Sequence, residues 1–108
     1  MKEKGEASPL IFLPLINYVL LQYSKPVALW VIDNGLDLMG KNDSKFMELV
    51  YKLVRVHFGF NPTITLPQFF SSGFAERKLI FTADLIKYVK DKHKELARAE
   101  QSKKKIFM

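Results

Sequence analysis

The stretch Gly73–Leu96, GFAERKLIFTADLIKYVKDKHKEL, decides the fold class. At seven-residue spacing, Leu79, Ile86 and His93 fall in one row, and Thr82, Val89 and Leu96 in the row beside it. Alternating steps of three and four residues put both rows on one face of a helix. Ile80, Ala83 and Leu85 widen that face near its start, as a helix packed into a domain requires. Towards Leu96 the stripe narrows, and Lys87, Lys90, Asp91, Lys92, Lys94 and Glu95 fill the other faces. The pattern predicts a long last helix that begins inside a small domain and ends outside it.

Upstream, Gly59 and Gly73 bracket a short connecting region. Thr63–Leu66 reads as extended, and Thr65 caps a helical turn with Pro67 near its first position. Before it, Lys45–Phe58 carries Phe46, Leu49, Val50, Leu53, Val54 and His57 at helical spacing. Asp43 or Ser44 is the expected cap of that helix, and Glu48–Lys52 the expected ion pair on its outside. Leu36, Leu38 and Met39 read as a connector crossing the core. Val27–Asp33 reads as a short helix ended by Asn34-Gly35, with Trp30 the largest core candidate. Ser8-Pro9 is a helix start, and Leu10–Tyr23, apolar on most sides, reads as a buried helix with Pro14 near its beginning. The expected core includes Leu15, Trp30, Phe46, Val50, Leu53, Phe74, Leu79 and Ile86. No strand is convincing. The reading is an all-α domain over residues 8–98, preceded by a flexible N-terminus at 1–7 and followed by a basic C-terminal tail at 99–108.

The 108 residues, 48% of them hydrophobic, suffice for one domain with its own core. The absence of cysteine excludes a disulfide framework and thiolate metal sites. The net charge is +6, and Lys87–Lys105 holds eight basic residues against three acids, so nearly all the excess lies on the last helix and tail. Such a segment favours an acidic partner: nucleic acid, an anionic lipid surface or the acidic face of a microtubule. The most apolar run, Pro9–Leu21, is shorter than the roughly 20 residues of a membrane span. Glu3 and Glu6 spoil the basic start of a signal peptide.

Motifs for catalysis are missing. His57 and His93 lie on different predicted helices, with no carboxylate at ligand spacing, so no metal site is expected. Asp33–Asp37 places its glycine at the wrong position for a calcium loop, and Ser44 stands where the bidentate glutamate belongs. Ser71-Ser72-Gly73 lacks the context of a nucleophile elbow. The aromatic residues read as helix packing. A non-enzymatic binding or scaffolding module without cofactor is the expectation.

Three stretches carry a more specific signal: LPLINYVLLQYS (13–24), GKNDSKFMELVYKLVR (40–55) and PTITLPQFFSSGFAERKLIFTADLIKYVKDKHKEL (62–96). In combination they resemble the N-terminal domain of the forty-four-kilodalton centrosomal protein family. The resemblance implies a divergent calponin-homology-like fold. It also implies association with centrioles, spindle poles and the ciliary base, microtubule binding, and a coiled coil after the domain. Two departures from the family pattern are expected: its first helix, which precedes the segment matching Lys4-Gly5-Glu6, is missing from this sequence, and Arg77 stands where the family has an aromatic residue.

Together these readings predict a cytoskeletal, centrosomal module with tubulin, the microtubule lattice or a centriolar scaffold protein as partner. Lys87, Lys90, Lys94 and Arg98 are the expected contacts, with Lys103, Lys104 and Lys105 as an electrostatic arm. The alternative is a docking or dimerising scaffold in which the Leu79–Leu96 stripe begins a coiled coil and joins a homodimer. Nucleic acid is disfavoured, because the basic residues include only three arginines and no aromatic is interleaved with the tail lysines before Phe107.

Overall fold

The computed structural model describes the backbone of residues 9–106 and the side chains of residues 11–99. The loose segment expected at 1–7 and the Ser8 cap lie outside the described residues. The elements are α1 (Pro9–Leu21), α2 (Lys25–Asp33), α3 (Asp43–Lys52), a π-helical turn (Leu53–His57), α4 (Leu66–Phe70) and α5 (Ala75–Ile106). The described residues contain no strand, so the chain is all-α. The 32 residues of α5 span about 48 Å and set the long axis of a 60 × 24 × 22 Å molecule.

Local chemistry places most boundaries. The Ser24 hydroxyl accepts from the Val27 N–H at 3.3 Å and Pro26 occupies the first turn, so α2 restarts at once after α1, bent 88° from it. Asn34 Nδ2 donates to the Trp30 carbonyl at 2.8 Å, and Gly35, at φ +83°, turns the chain out of α2. Asn42, one residue before the expected caps, accepts from the Lys45 N–H at 2.8 Å. Asp43 thereby becomes the first helical residue, where its charge suits the positive end of the helix dipole. Outside α3 the ion pair is Lys45–Glu48 at 3.7 Å, three residues apart, in place of the expected Glu48–Lys52. The last turn widens: the Phe58 N–H donates to Leu53 O at 3.1 Å, five residues back. Thr65 and Gln68 form a reciprocal capping box at 3.2 and 3.1 Å, as Thr65-Leu-Pro-Gln suggests.

The core gathers Ile16 and Leu20 of α1, Val27 and Val31 of α2, Leu36 and Leu38 of the connector, Met47 and Val50 of α3, and Leu53 and Val54 of the π-turn. Ile64, Phe69, Phe81, Leu85 and Val89 close it. An aromatic run threads the elements: Trp30 stacks on Phe58 at 5.5 Å, Phe58 on Tyr88 at 5.6 Å, and Tyr88 on Phe60 at 4.7 Å. Phe81 continues it by stacking on Tyr51 at 5.4 Å. These rings pack helix against helix, as the sequence suggests.

Several expected core residues sit elsewhere. Phe46, Val50 and Leu53 are buried, while Trp30 and Ile86 are only partly so. Leu15 is 42% exposed, Phe74 41% and Leu79 61%. Met39 is exposed while its neighbours in the connector, Leu36 and Leu38, are buried. The physical reason is the same at each: hydropathy marks a side chain that gains from burial, but only a neighbouring element can bury it. α1 has neighbours on one side only, so Leu13, Ile16, Val19 and Leu20 are covered and Ile11, Leu15 and Tyr18 are not.

On α5 the buried face is Lys78, Phe81, Thr82, Leu85 and Val89. The expected row of Thr82, Val89 and Leu96 lies on or beside it. The row through Leu79 is turned about 100° away at the start of the helix. Lys78 takes the place a leucine was expected to hold. It is fully buried, its Nζ donates to Ser71 O at 2.6 Å, and it lies 6.0 Å from the Phe69 ring centroid. Burial pushes the Lys78 ammonium below the usual lysine range. Phe74, at φ +56°, accepts the Lys78 N–H at 2.9 Å and sets the chain direction into α5. Arg77, where the family resemblance implies an aromatic residue, faces solvent with its guanidinium 6.0 Å from the Phe74 ring.

Candidate partner-binding site

α5 is unbroken α-helix over Lys87–Arg98, so spacing dictates placement. Lys87, Lys90, Lys94 and Arg98 fall within about 80° of its circumference, and all four are exposed. None of these four makes an ion pair among the described residues. Lys92, one step round the helix, does different work. Its Nζ lies 4.6 Å over the Trp30 ring and 3.2 Å from Glu95 Oε1, so it pins α5 to α2. The four expected contact residues are therefore one solvated stripe, and the fifth cation of the stretch is structural. Helix α5 continues through Ile106, so the backbone of Lys103, Lys104 and Lys105 is helical; their side chains lie outside the described residues.

Beside that stripe runs a groove. α1 and α5 lie alongside each other in the same direction. At one end Tyr23 packs on His93 with ring centroids 5.8 Å apart, and the Ser24 hydroxyl meets His93 Nδ1 at 2.7 Å. Further back, Leu15, Tyr18 and Val19 of α1 face Ile86, Val89 and Lys90 of α5 across an open apolar trough of about 160 Å³. Sequence reading missed this trough, because it depends on which side of α1 the rest of the domain leaves uncovered. The exposed triplet Ile11, Leu15 and Tyr18, at steps of four and three, is the signal that could have shown it.

Ser24 and His93 stand at the distance of a nucleophile and its base, yet the arrangement is a staple. Ser24 is buried, its oxygen already accepts from Val27 N–H, and no carboxylate among the described residues orients the imidazole. No cluster of three potential metal ligands occurs among the described residues. The wider depression between α3 and residues 61–66 is lined by Lys45, Lys52 and Arg55. The nearest buried polar group, the Tyr51 hydroxyl, is consumed by donating to Ile64 O at 2.6 Å. Burial raises the Tyr51 phenol to about 12 against a smaller opposing pull from Arg55. No single helix among the described residues is long and apolar enough to cross a membrane.

A family model described as "Centrosomal spindle body, CEP44" matches residues 1–103. Among similar proteins, "Centrosomal protein of 44 kDa" from Bos taurus is 42% identical over 90 residues, covering 83% of this chain and 23% of that protein. The proteins of the same name from Homo sapiens and Xenopus tropicalis are 38% and 40% identical over 107 and 93 residues, covering 95% and 86% of this chain. The chain spans about a quarter of the length of these relatives. Both the extent of the family match and the identity across most of the chain lead to one conclusion: this chain belongs to the CEP44 centrosomal spindle body family.

Proposed function

We propose that the chain is a non-catalytic binding module of the centrosome and centriole, and that its α5 stripe docks on the acidic surface of microtubules or of a centriolar scaffold. The supporting observation is the one-sided placement of Lys87, Lys90, Lys94 and Arg98, four exposed cations with no ion pair among the described residues, on the face of α5 opposite its buried one. Membership of a centrosomal family supplies the setting. A surface of this kind acts through salt-screened attraction, each lysine contributing up to about 1 kcal/mol.

The test is co-sedimentation with microtubules over a salt series. The chain pellets at low salt, and the combined variant Lys87→Glu, Lys90→Glu, Lys94→Glu loses at least about tenfold in affinity. A folded chain that stays in the supernatant at low salt, or a charge-reversed variant that pellets equally well, would overturn direct microtubule binding.

A parallel dimer through α5, the alternative arrangement, has the row of exposed Leu79 and Ala83 and half-buried Ile86 in its favour. Lys90, next in that row, would then face its own copy, and like charges at that distance repel.

A further inference from the structure

The exposed apolar ridges of α1 and α5 have no role in an electrostatic contact with a microtubule surface. On α1, Ile11, Leu15 and Tyr18 are 62%, 42% and 49% exposed and lie in one row. On α5, Leu79, Ala83 and Ile86 form a second row beside it, at steps of four and three. The parallel register seen at Tyr23–His93 and Leu15–Ile86 brings the two helices together around one trough. It is walled by Leu15, Tyr18, Val19 and Tyr23 of α1 and its C-terminal end and by Ile86, Val89 and Lys90 of α5; Ile11, Leu79 and Ala83 lie beyond it on the same rows. From Leu15 to Tyr23 the trough runs about 12 Å, the rise of roughly eight residues of helix. Its walls are largely apolar, α1 carries no charged residue, and Lys90 of α5 supplies a positive charge to its lining, with the exposed Lys94 and Lys87 farther round the same helix.

We infer that this trough is the docking site of an acidic amphipathic helix from a partner protein. Its leucine-like ridge would fill the space between Leu15, Tyr18 and Ile86, and its flanking carboxylates would meet Lys90 and the exposed lysines beside it on α5. An apolar ridge between two helices is what a helix-in-groove contact requires, and the rim decides the sign of the partner. A second copy of this chain is a poor occupant. It carries the same +6 charge, and no exposed helix face among its described residues combines an apolar ridge with a row of acids. The inference shares its lysines with the microtubule reading and rests on it to that extent. The apolar walls belong to this inference alone.

The experiment titrates the chain into a fluorescein-labelled designed peptide of about 18 residues, long enough to form a helix on the surface. The peptide has leucines spaced three and four apart with glutamates beside them. Two control peptides keep the same spacing, one with lysines for the glutamates and one with serines for the leucines. The glutamate–leucine peptide binds at least about tenfold more tightly than either control and gains helicity on binding. Leu15→Glu and Lys90→Glu, both at exposed positions and checked for folding by circular dichroism, each weaken it by about tenfold. Leu15→Glu leaves microtubule pelleting unchanged, so loss of one activity is told apart from loss of the other.

Five results would overturn the inference. The first two are a glutamate–leucine peptide that fails to bind a folded chain, or that binds no better than its controls. The third is binding that survives Leu15→Glu. The fourth is a chain that sediments as a dimer dissolved by Leu15→Glu, which gives the trough to a second copy. The fifth is binding of vesicles of phosphatidylcholine and phosphatidylserine where the peptide does not bind, which gives it to a lipid surface.

Discussion

The two ends of α5 treat lysine in opposite ways. In its first turn Lys78 is wholly buried, its ammonium held by the Ser71 carbonyl above Phe69, while Leu79 beside it points to water. Three turns on, Lys87, Lys90 and Lys94 are exposed and Val89 is buried on the opposite face, as their chemistry would suggest. The difference lies in the surroundings. Near Lys78 the chain has just turned back through α4 and offers a backbone acceptor and a ring to a side chain with a long apolar stem. Beyond Lys87 only α1 and α2 lie on one side, and nothing on the other side can receive a charge.

Leucines break this comparison with the largest effect. Leu85→Ala removes a fully buried side chain and is expected to cost about 2–5 kcal/mol in denaturant unfolding. Leu79→Ala, at a residue of the same type six positions earlier, should stay within about 0.5 kcal/mol. An equal cost at both sites would mean that the face of α5 is misassigned.

Lysines come next. Lys78→Ala leaves the Ser71 carbonyl without that donor and opens space beneath α5, so a loss of about 1–3 kcal/mol is expected. Lys87→Ala should be neutral within about 0.5 kcal/mol while weakening salt-sensitive partner binding. Melting curves of the two variants side by side check the pair.

Alkaline pH sharpens the contrast further, because the two buried titrating groups act with opposite sign. Lys78 holds its proton less tightly folded than unfolded, so the penalty on its charged form is relieved as pH rises towards the ordinary lysine range. Tyr51 holds its proton more tightly when folded. Its contribution is complete below pH 10 and is lost between pH 10 and about 12, an effect of about 1–2 kcal/mol. Tyr51→Phe should therefore cost about 1 kcal/mol at neutral pH, for the lost bond to Ile64, and flatten the decline above pH 10. A decline equally steep in Tyr51→Phe would place its origin elsewhere.

The smallest effect is at Lys92. Lys92→Ala gives up the contact with Trp30 and should cost about 0.5–1 kcal/mol, with a change in tryptophan emission that Lys94→Ala does not produce.

Much of the architecture was legible in the chain. Caps and turns act over three or four residues, so Thr65 with Pro67 and Asn34-Gly35 could be read directly, and Asn42 was missed by one position. The basic stripe was legible too, because four cations at helical spacing share a face wherever the helix lies. The trough was not, since it needs two helices in register. Lys78 was the hardest: a lysine in an amphipathic window reads as solvated unless the acceptor above it is known.

The sequence by itself determined an all-α chain, its long last helix, the uneven charge along it and the family to which it belongs. These are properties of local spacing and composition, carried by neighbours along the chain. Only the tertiary structure decided which side of α1 and of α5 would be covered, and so which apolar residues became core and which became the walls of a groove. Burial needs a partner surface from a distant part of the chain, and hydropathy records the gain from burial without saying where that surface will be.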